Sequence, residues 1–422
     1  MRIPAMTRGL LPILLLATAF SIPQSESQAL LTWRTLDGSI RQTPLDQAPG
    51  SQLEDWMGPW MQPEGLPAAS PVESEDPMLV GLVGGDRLFS TAKGGDGGAL
   101  LVQCMGDTDL SLAIDQIENL VFPTRQAGRG SLEAASEGDR LYRVAGKGLD
   151  RIDGVLVGFD PEGVRFEGSL GEKLYAWNEV VGLFIEALSI GSESSGGEDK
   201  NLALVEWTDG SRLRGNLVSV ESGGVTLAPI SEIEVPAWFI PMSAIREMVL
   251  FDGSFRFLSW QAMEDSGPDR SPFDPPGVEP LGMVWPHRID RSVTGGPLLS
   301  GGRSWTQGLG VHAPSHLKWK LDGSDCQLVL AVALDDSALA NGKGGRVQGG
   351  SVEFQVLVDG KPAWKSGRVT SGQAMIEPDA IDLKGAKTLE LVVTDGGDGP
   401  VLDRANWLRP LLIRCDGGLT GR

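Results

Sequence analysis

Glycine and proline punctuate this chain so densely that no stretch keeps an amphipathic helical period beyond about three turns. The 422 residues include 57 glycines and 27 prolines, and both residue types end regular structure and start turns. The segments between them read as strands. In "VEFQVLV", Val352, Phe354, Val356 and Val358 fall on one face of an extended chain. The chain is therefore mainly β, built from short strands and tight turns, and its length allows roughly two to four domains.

Residues 1–29 read as an export signal. Arg2 and Arg8 form a basic start, and Leu10 to Phe20 is an apolar run too short for a bilayer, which takes roughly 20 residues. Small residues at Ala17, Ala19, Ser21, Ser27 and Ala29 offer cleavage positions; an uncleaved anchor is the alternative. No later stretch has the length of a membrane span, so the expected protein is secreted or periplasmic. Its net charge of −20 repels a phosphate backbone and excludes nucleic acid as a partner. Cys104, Cys326 and Cys415 are too few and too scattered for a zinc site. Export permits a disulfide. Cys326 with Cys415 is the favoured pair, because both lie in apolar strands of one region, and Cys104 stays free.

Three polar, Gly/Ser- or Pro-rich segments, 125–138, 191–200 and 264–277, divide the chain. Before the last of them a β unit recurs. "LDGSIRQTPL" (36–45) and "TDGSRLRGNLVSV" (208–220) read as strand, D-G turn, strand, and "IDGVLVGFDPEGVRFEG" (152–168) follows a similar course. Each section closes alike, with "AIDQIENLVF", "AWNEVVGLFI" and "IPMSAIREMVLF", and Phe122, Phe184 and Phe251 mark a near-period. This gives β units at 30–124, 139–190 and 201–252, then a linker at 253–277. The rhythm resembles the small, bent Sm-like barrel. Sm-like RNA-binding loops are missing from it, so the units suit an assembly or spacer role. Association with protein partners, or between copies through these repeats, stays open.

Beyond residue 277 the strings "GLGVHA", "VEFQVLVDGK" and "GAKTLELVVTDGGDG" occur in order. Residues 278–416 resemble the novel putative carbohydrate-binding module (NPCBM), family 51 of the carbohydrate-binding modules. The resemblance implies a galactose-binding-like jelly-roll β-sandwich, without catalysis, that recognises glycans, some of them galactose-type, and carries a structural calcium ion. The residues agree with a sandwich: "LVLAVAL" (328–334) is apolar on both faces, "VDGK" (358–361) is a hairpin turn, and Leu389, Leu391 and Val393 alternate inward.

For calcium, an oxygen-seeking ion, the candidates are Asp395, Asp398 and Asp403 in a glycine-rich loop, with Asp335 and Asp336 at a strand end. The family's usual aspartate-histidine-alanine-aspartate-tryptophan stands here as Asp403, Arg404, Ala405, Asn406, Trp407, which replaces one carboxylate by a neutral oxygen. For sugar, an aromatic plate is required, and Trp285, Trp305, Trp319, Trp364 and Trp407 are available. Trp305 beside Gln307 is the expected platform, and Trp407 is expected to pack beneath the acidic loop. His312 and His316 have ligand spacing on a helix, but Pro314 lies between them and "HLKWKL" alternates as a strand. His312, within "GLGVHA", is then a loop-fixing hydrogen bonder or a sugar contact. Neither a G-x-S-x-G elbow nor an H-E-x-x-H helix occurs, and all three histidines fall after residue 277. The expected protein is a non-catalytic carbohydrate binder. The alternatives are an envelope interaction protein and, less favoured, a glycoside hydrolase.

Overall fold

A computed structural model describes residues 29–36, 39–50, 58–67, 69–71, 74–186, 201–264, 285–341 and 347–415. The export signal, the 191–200 segment, residues 265–277 and the Asp37–Gly38 turn lie outside the described residues.

Three strands open the fold: β1 (Leu30–Arg34), β2 (Ile40–Pro44) and β3 (Trp60–Glu64). Fifteen more follow in three sets of five. The first set is β4 (Met78–Leu82), β5 (Asp86–Gly95), β6 (Ala99–Cys104), β7 (Thr108–Ala113) and β8 (Ile117–Val121). The second is β9 (Asp139–Ala145), β10 (Gly148–Asp160), β11 (Gly163–Gly168), β12 (Gly171–Ala176) and β13 (Val180–Phe184). The third is β14 (Leu202–Trp207), β15 (Arg212–Glu221), β16 (Gly224–Ala228), β17 (Trp238–Pro241) and β18 (Ile245–Phe251).

Within each set the first four strands pair in succession and the fifth returns to pair with the first. Among the described residues no register joins a fourth strand to its fifth, so closure into a barrel is not seen. The three closing sequence strings each run from the fourth strand through a short turn into the fifth. That turn is a 3-10 turn at Ile114–Gln116 and again at Met242–Ala244. The recurring string is thus a recurring piece of structure.

The openings differ from expectation. The first set starts at Met78, not at residue 30; β1, β2 and β3 pair with one another and join the third set through β3 and β18. The pair Asp153–Gly154, read as a turn, lies inside β10. Gly154 is required there because a Cβ would run into the neighbouring Glu167 carbonyl. The fifth strands β8 and β13 pair edge to edge, Leu120 opposite Leu183, so these edges are satisfied inside the chain. One buried core, including Trp33, Val80, Leu120, Phe159, Leu183, Trp207 and Met248, runs through all three sets.

β19 (Phe255–Phe257) comes next, within residues read as linker. It is a strand because Phe255 and Phe257 are fully buried. The rest comprises β20 (Arg288–Ile289), β21 (Leu298–Ser300), β22 (Arg303–Trp305), β23 (Gly308–His312), β24 (Ser315–Lys320), β25 (Asp325–Leu334), β26 (Leu339–Asn341), β27 (Val347–Gly349), β28 (Ser351–Val358), β29 (Lys361–Thr370), β30 (Ile381–Asp382), β31 (Thr388–Thr394) and β32 (Arg404–Arg414). One sheet runs β20-β23-β32-β25-β30, with β19 also on β32, and a second runs β24-β31-β28-β29. Leu309, Val311, Leu330, Val332 and Trp407 from the first share a core with Leu317, Phe354, Val356 and Leu391 from the second. "LVLAVAL" is apolar on both faces because Leu328, Leu330, Val332 and Leu334 face the core between the sheets, while Ala331 and Ala333 pack on the other face with Leu298, Trp305 and Leu408. A disulfide joins Cys326 to Cys415, with Cα atoms 4.8 Å apart, and Cys104 is free and buried.

The strand sets and the C-terminal sheets are fused. Phe251, Phe255 and Phe257 pack with Trp60, Leu411 and Ile413. Beside this apolar patch is a buried ion network. Arg212 donates to Asp290 at 2.8 Å, to the Thr306 carbonyl and to the Gly85 carbonyl, and Asp86 lies 3.3 Å from it. Glu206 accepts from Arg246 at 3.0 Å, yet burial pushes its carboxyl up to about 7.

That shift sets a pH dependence. The folded state holds a proton on Glu206 that the unfolded chain releases near its ordinary value of 4.5, so this group's contribution to stability falls as pH rises from about 4.5 to about 7. Glu206→Gln should flatten that part of the profile. Urea denaturation at about pH 5 and about pH 8 checks it; an unchanged slope in the variant would contradict the assignment.

Candidate functional site

The ladder between β23 and β32 places His312 opposite Arg404. Trp285 stacks on the His312 ring, with centroids 5.4 Å apart and planes 9° from parallel. The Arg404 guanidinium lies 5.8 Å from the Trp285 ring centre and is held by the Ser337 carbonyl at 2.8 Å. The three side chains are partly exposed. His312 Nδ1 is 2.8 Å from the Ala313 carbonyl, so it carries the proton that donates there. Burial lowers the imidazole pKa, which favours the neutral ring with Nε2 as an acceptor. An aromatic face, an acceptor nitrogen and a cation thus stand together, a set that suits the apolar face and hydroxyl rim of a sugar.

The expected platform is placed differently. Trp305 is 7% exposed and packs on Leu298, Ala331, Ala333 and Leu408; Arg303 and Arg409 lie over its ring at 4.3 and 5.5 Å. It offers no open plate. The flanking glycines suggested a loop, but they form the tip of the β21–β22 hairpin, whose Trp305 lies against the sheet. Gln307 is also buried, and its side-chain oxygen accepts from Thr306. Neither residue meets His312 in the stack. Trp319 and Trp407 are core residues, and Trp407 packs edge-on against Phe354. Sequence inspection included Trp285 among the tryptophans but missed its role and that of Arg404. The departure at Arg404 from the family's histidine was the available signal.

His312 and His316 lie on successive strands, β23 and β24, with Pro314 between them. They do not form a helical pair. His316 Nε2 is 2.7 Å from Glu390.

The five aspartates fall into two groups. Asp335 accepts from Asn406 Nδ2 at 2.8 Å and from the Ser337 amide at 3.0 Å. Asp336 accepts from the Gly301 and Gly302 amides, both at 2.8 Å. These two hold the β21–β22 hairpin. In the second group Ser351 connects Asp403, which accepts its amide at 2.8 Å, to Asp398, which accepts its hydroxyl at 2.6 Å. Asp398 also pairs with Arg368, and Asp395 accepts from the Gly397 amide. Among the described residues no three His, Cys, Asp or Glu side chains gather closely enough to hold a metal. One oxygen of Asp403 is buried without a donor. Burial, with Asp398 and Asp395 nearby, pushes this carboxyl up to about 7. Both groups accept from N–H donors, and in the second one oxygen of Asp403 is the acceptor left open.

With this geometry established, residues 279–413 match the model of the NPCBM/NEW2 domain. The C-terminal third of the chain is therefore an NPCBM-like carbohydrate-binding module. Solved structures similar to the chain include CBM51 from Clostridium perfringens GH95 in complex with methyl-galactose, at 21% identity and TM-score 0.31, covering 37% of this chain and 99% of that one. CBM51-2 with INT domains from Clostridium perfringens ZmpB, in complex with GlcNAc, aligns at 16% identity and TM-score 0.31, over 46% of this chain and 38% of that one. The tandem CBM51 modules of Sp3GH98 from Streptococcus pneumoniae align at 13% and 0.30, over 74% and 85%. Scores of this size add no weight to the family match. No curated protein matches the chain.

Asn406 is fully buried against the Asp335 carboxylate, so restoring the family's aspartate there should destabilise this chain. Asn406→Asp replaces a donor by a second carboxylate and should cost at least about 2 kcal/mol near neutral pH. Chemical denaturation measures it, and an unchanged midpoint would show that the Asn406–Asp335 bond does not hold the hairpin.

Proposed function

We propose that this is an exported, non-catalytic carbohydrate-binding protein whose NPCBM-like module takes a glycan on the Trp285–His312–Arg404 stack. The observation that carries the reading is the partly exposed stack itself, on a module of a carbohydrate-binding family. Trp285 supplies the plate for a sugar's C–H face, His312 Nε2 accepts a hydroxyl proton, and Arg404 donates to ring or hydroxyl oxygens. Galactose-type sugars and GlcNAc are the first ligands to test, because solved structures similar to this chain carry methyl-galactose and GlcNAc.

In the finer reading the module is a galactose-binding-like jelly roll and the three five-strand sets are Sm-like units that support it. The repeated strand order, and the 3-10 turn before the fifth strand in two of the sets, favour this. Calcium, where bound, would be held by Asp403 with Asp395 and Asp398, and would add local rigidity. The Cys326–Cys415 bond supports export, since such bonds persist in oxidising compartments.

A glycan array on the full chain, with calcium and then with chelator, tests the function. Binding to a galactose- or GlcNAc-terminated glycan is expected, and Trp285→Ala should weaken it by about tenfold or more. Silence across the array under both conditions would refute glycan binding, and full retention in Trp285→Ala would refute the stack as its site.

A further inference from the structure

A cleft of about 470 Å³ opens where the opening strands and the third strand set meet the module. Its lining comes from both sides: Arg34 and Gln62 from the opening strands β1 and β3, Arg246 and Glu247 from the third strand set, and Arg303, Trp305 and Arg409 from the module. Four guanidiniums therefore gather on one face of a chain with net charge −20. Two of them have carboxylate partners, Arg246 with Glu206 and Arg409 with Glu247. Glu247 is fully engaged, because it also accepts from Gln62 at 2.6 Å and from Thr306 at 3.4 Å. Arg34 and Arg303 have no ion pair among the described residues. Their positive charges help to lower the pKa of Arg409, where burial is the first cause. Two buried donors, Arg409 Nε and Trp305 Nε1, are without a hydrogen-bond partner. Burying such donors unpaired is costly, and gathering like charges is unfavourable unless an anion joins them.

We propose that this seam is a binding site for an acidic saccharide, whose carboxylate or sulfate is taken by Arg34, Arg303 and Arg409. Planar guanidiniums suit such oxyanions, and the volume accommodates roughly one or two sugar rings. Gln62 and Thr306 also line the cleft. Arg34 lies outside the family-matched residues, so the site exists only where both parts of the chain meet. It is separate from the Trp285 stack and stands or falls independently of it.

Isothermal titration calorimetry on the full chain, in low salt, with trigalacturonate, a sulfated galactose disaccharide and neutral galactotriose, tests the proposal. At least one charged ligand should bind about tenfold or more tightly than the neutral one, and added salt should weaken it. Preference between the two charged ligands assigns carboxylate or sulfate. The double variant Arg34→Gln/Arg303→Gln should lose about tenfold or more of the affinity for the charged ligand, and Arg34→Lys/Arg303→Lys, which keeps the charge, should lose less. Equal binding of neutral and charged ligands, or an unchanged affinity in the glutamine variant, would each overturn it.

Discussion

The arrangement of the whole chain depends on one guanidinium. Arg212, from the third strand set, reaches the Gly85 carbonyl and Asp86 of the first set, and Asp290 and the Thr306 carbonyl of the module. Burying a charge is expensive, and an ion pair inside a protein offsets that cost only when its remaining hydrogen bonds are made. Asp290 meets the condition: it also accepts from Trp260 Nε1 at 2.9 Å and from the Gly308 amide at 2.9 Å. Such a network tolerates little displacement, because a shift in any one element leaves a charge unpaired. Apolar packing of Phe251, Phe255 and Phe257 brings the parts together, and the ions fix their angle.

This joint changes what the strand sets are for. Repeats that only spaced the module from a partner would meet it through a mobile linker and bury little against it. Here β19 enters the module's own sheet beside β32, and strands from both parts line one cleft. The edges β8 and β13, where repeats of this kind could have met copies of themselves, are used against each other.

What the sequence disclosed follows the range of the interactions. Alternation in "VEFQVLV" and "LVLAVAL", the Asp359–Gly360 hairpin and the three closing strings are local, and the structure places each as a strand or turn of the expected kind. The disulfide was legible from the expected export and from shared apolar strands. Trp305 was misplaced because Gly301, Gly302 and Gly308 flank it in sequence, while Arg409, which lies over its ring, is remote in sequence. Asp86, Arg212 and Asp290 are far apart along the chain, and no periodicity reports such contacts. "FRF" at 255–257 read as linker because three residues are too few to show alternation, and its burial depends on β32. Trp285 is one of several tryptophans until the ladder sets His312 opposite Arg404 and stacks the indole there.

The end of β32 has a mechanical consequence. Residues Leu411 to Ile413 pair with β19, and immediately beyond them Cys415 is tied to Cys326 at the start of β25. A pull between the strand sets and the module is then met first as shear along antiparallel strands, with several hydrogen bonds loaded together rather than one after another. The covalent tie keeps the far side of that ladder from peeling. A ligand held by the module would transmit tension into the repeats through a stiff path, and the chain would behave under load as one bar, not as beads on a string.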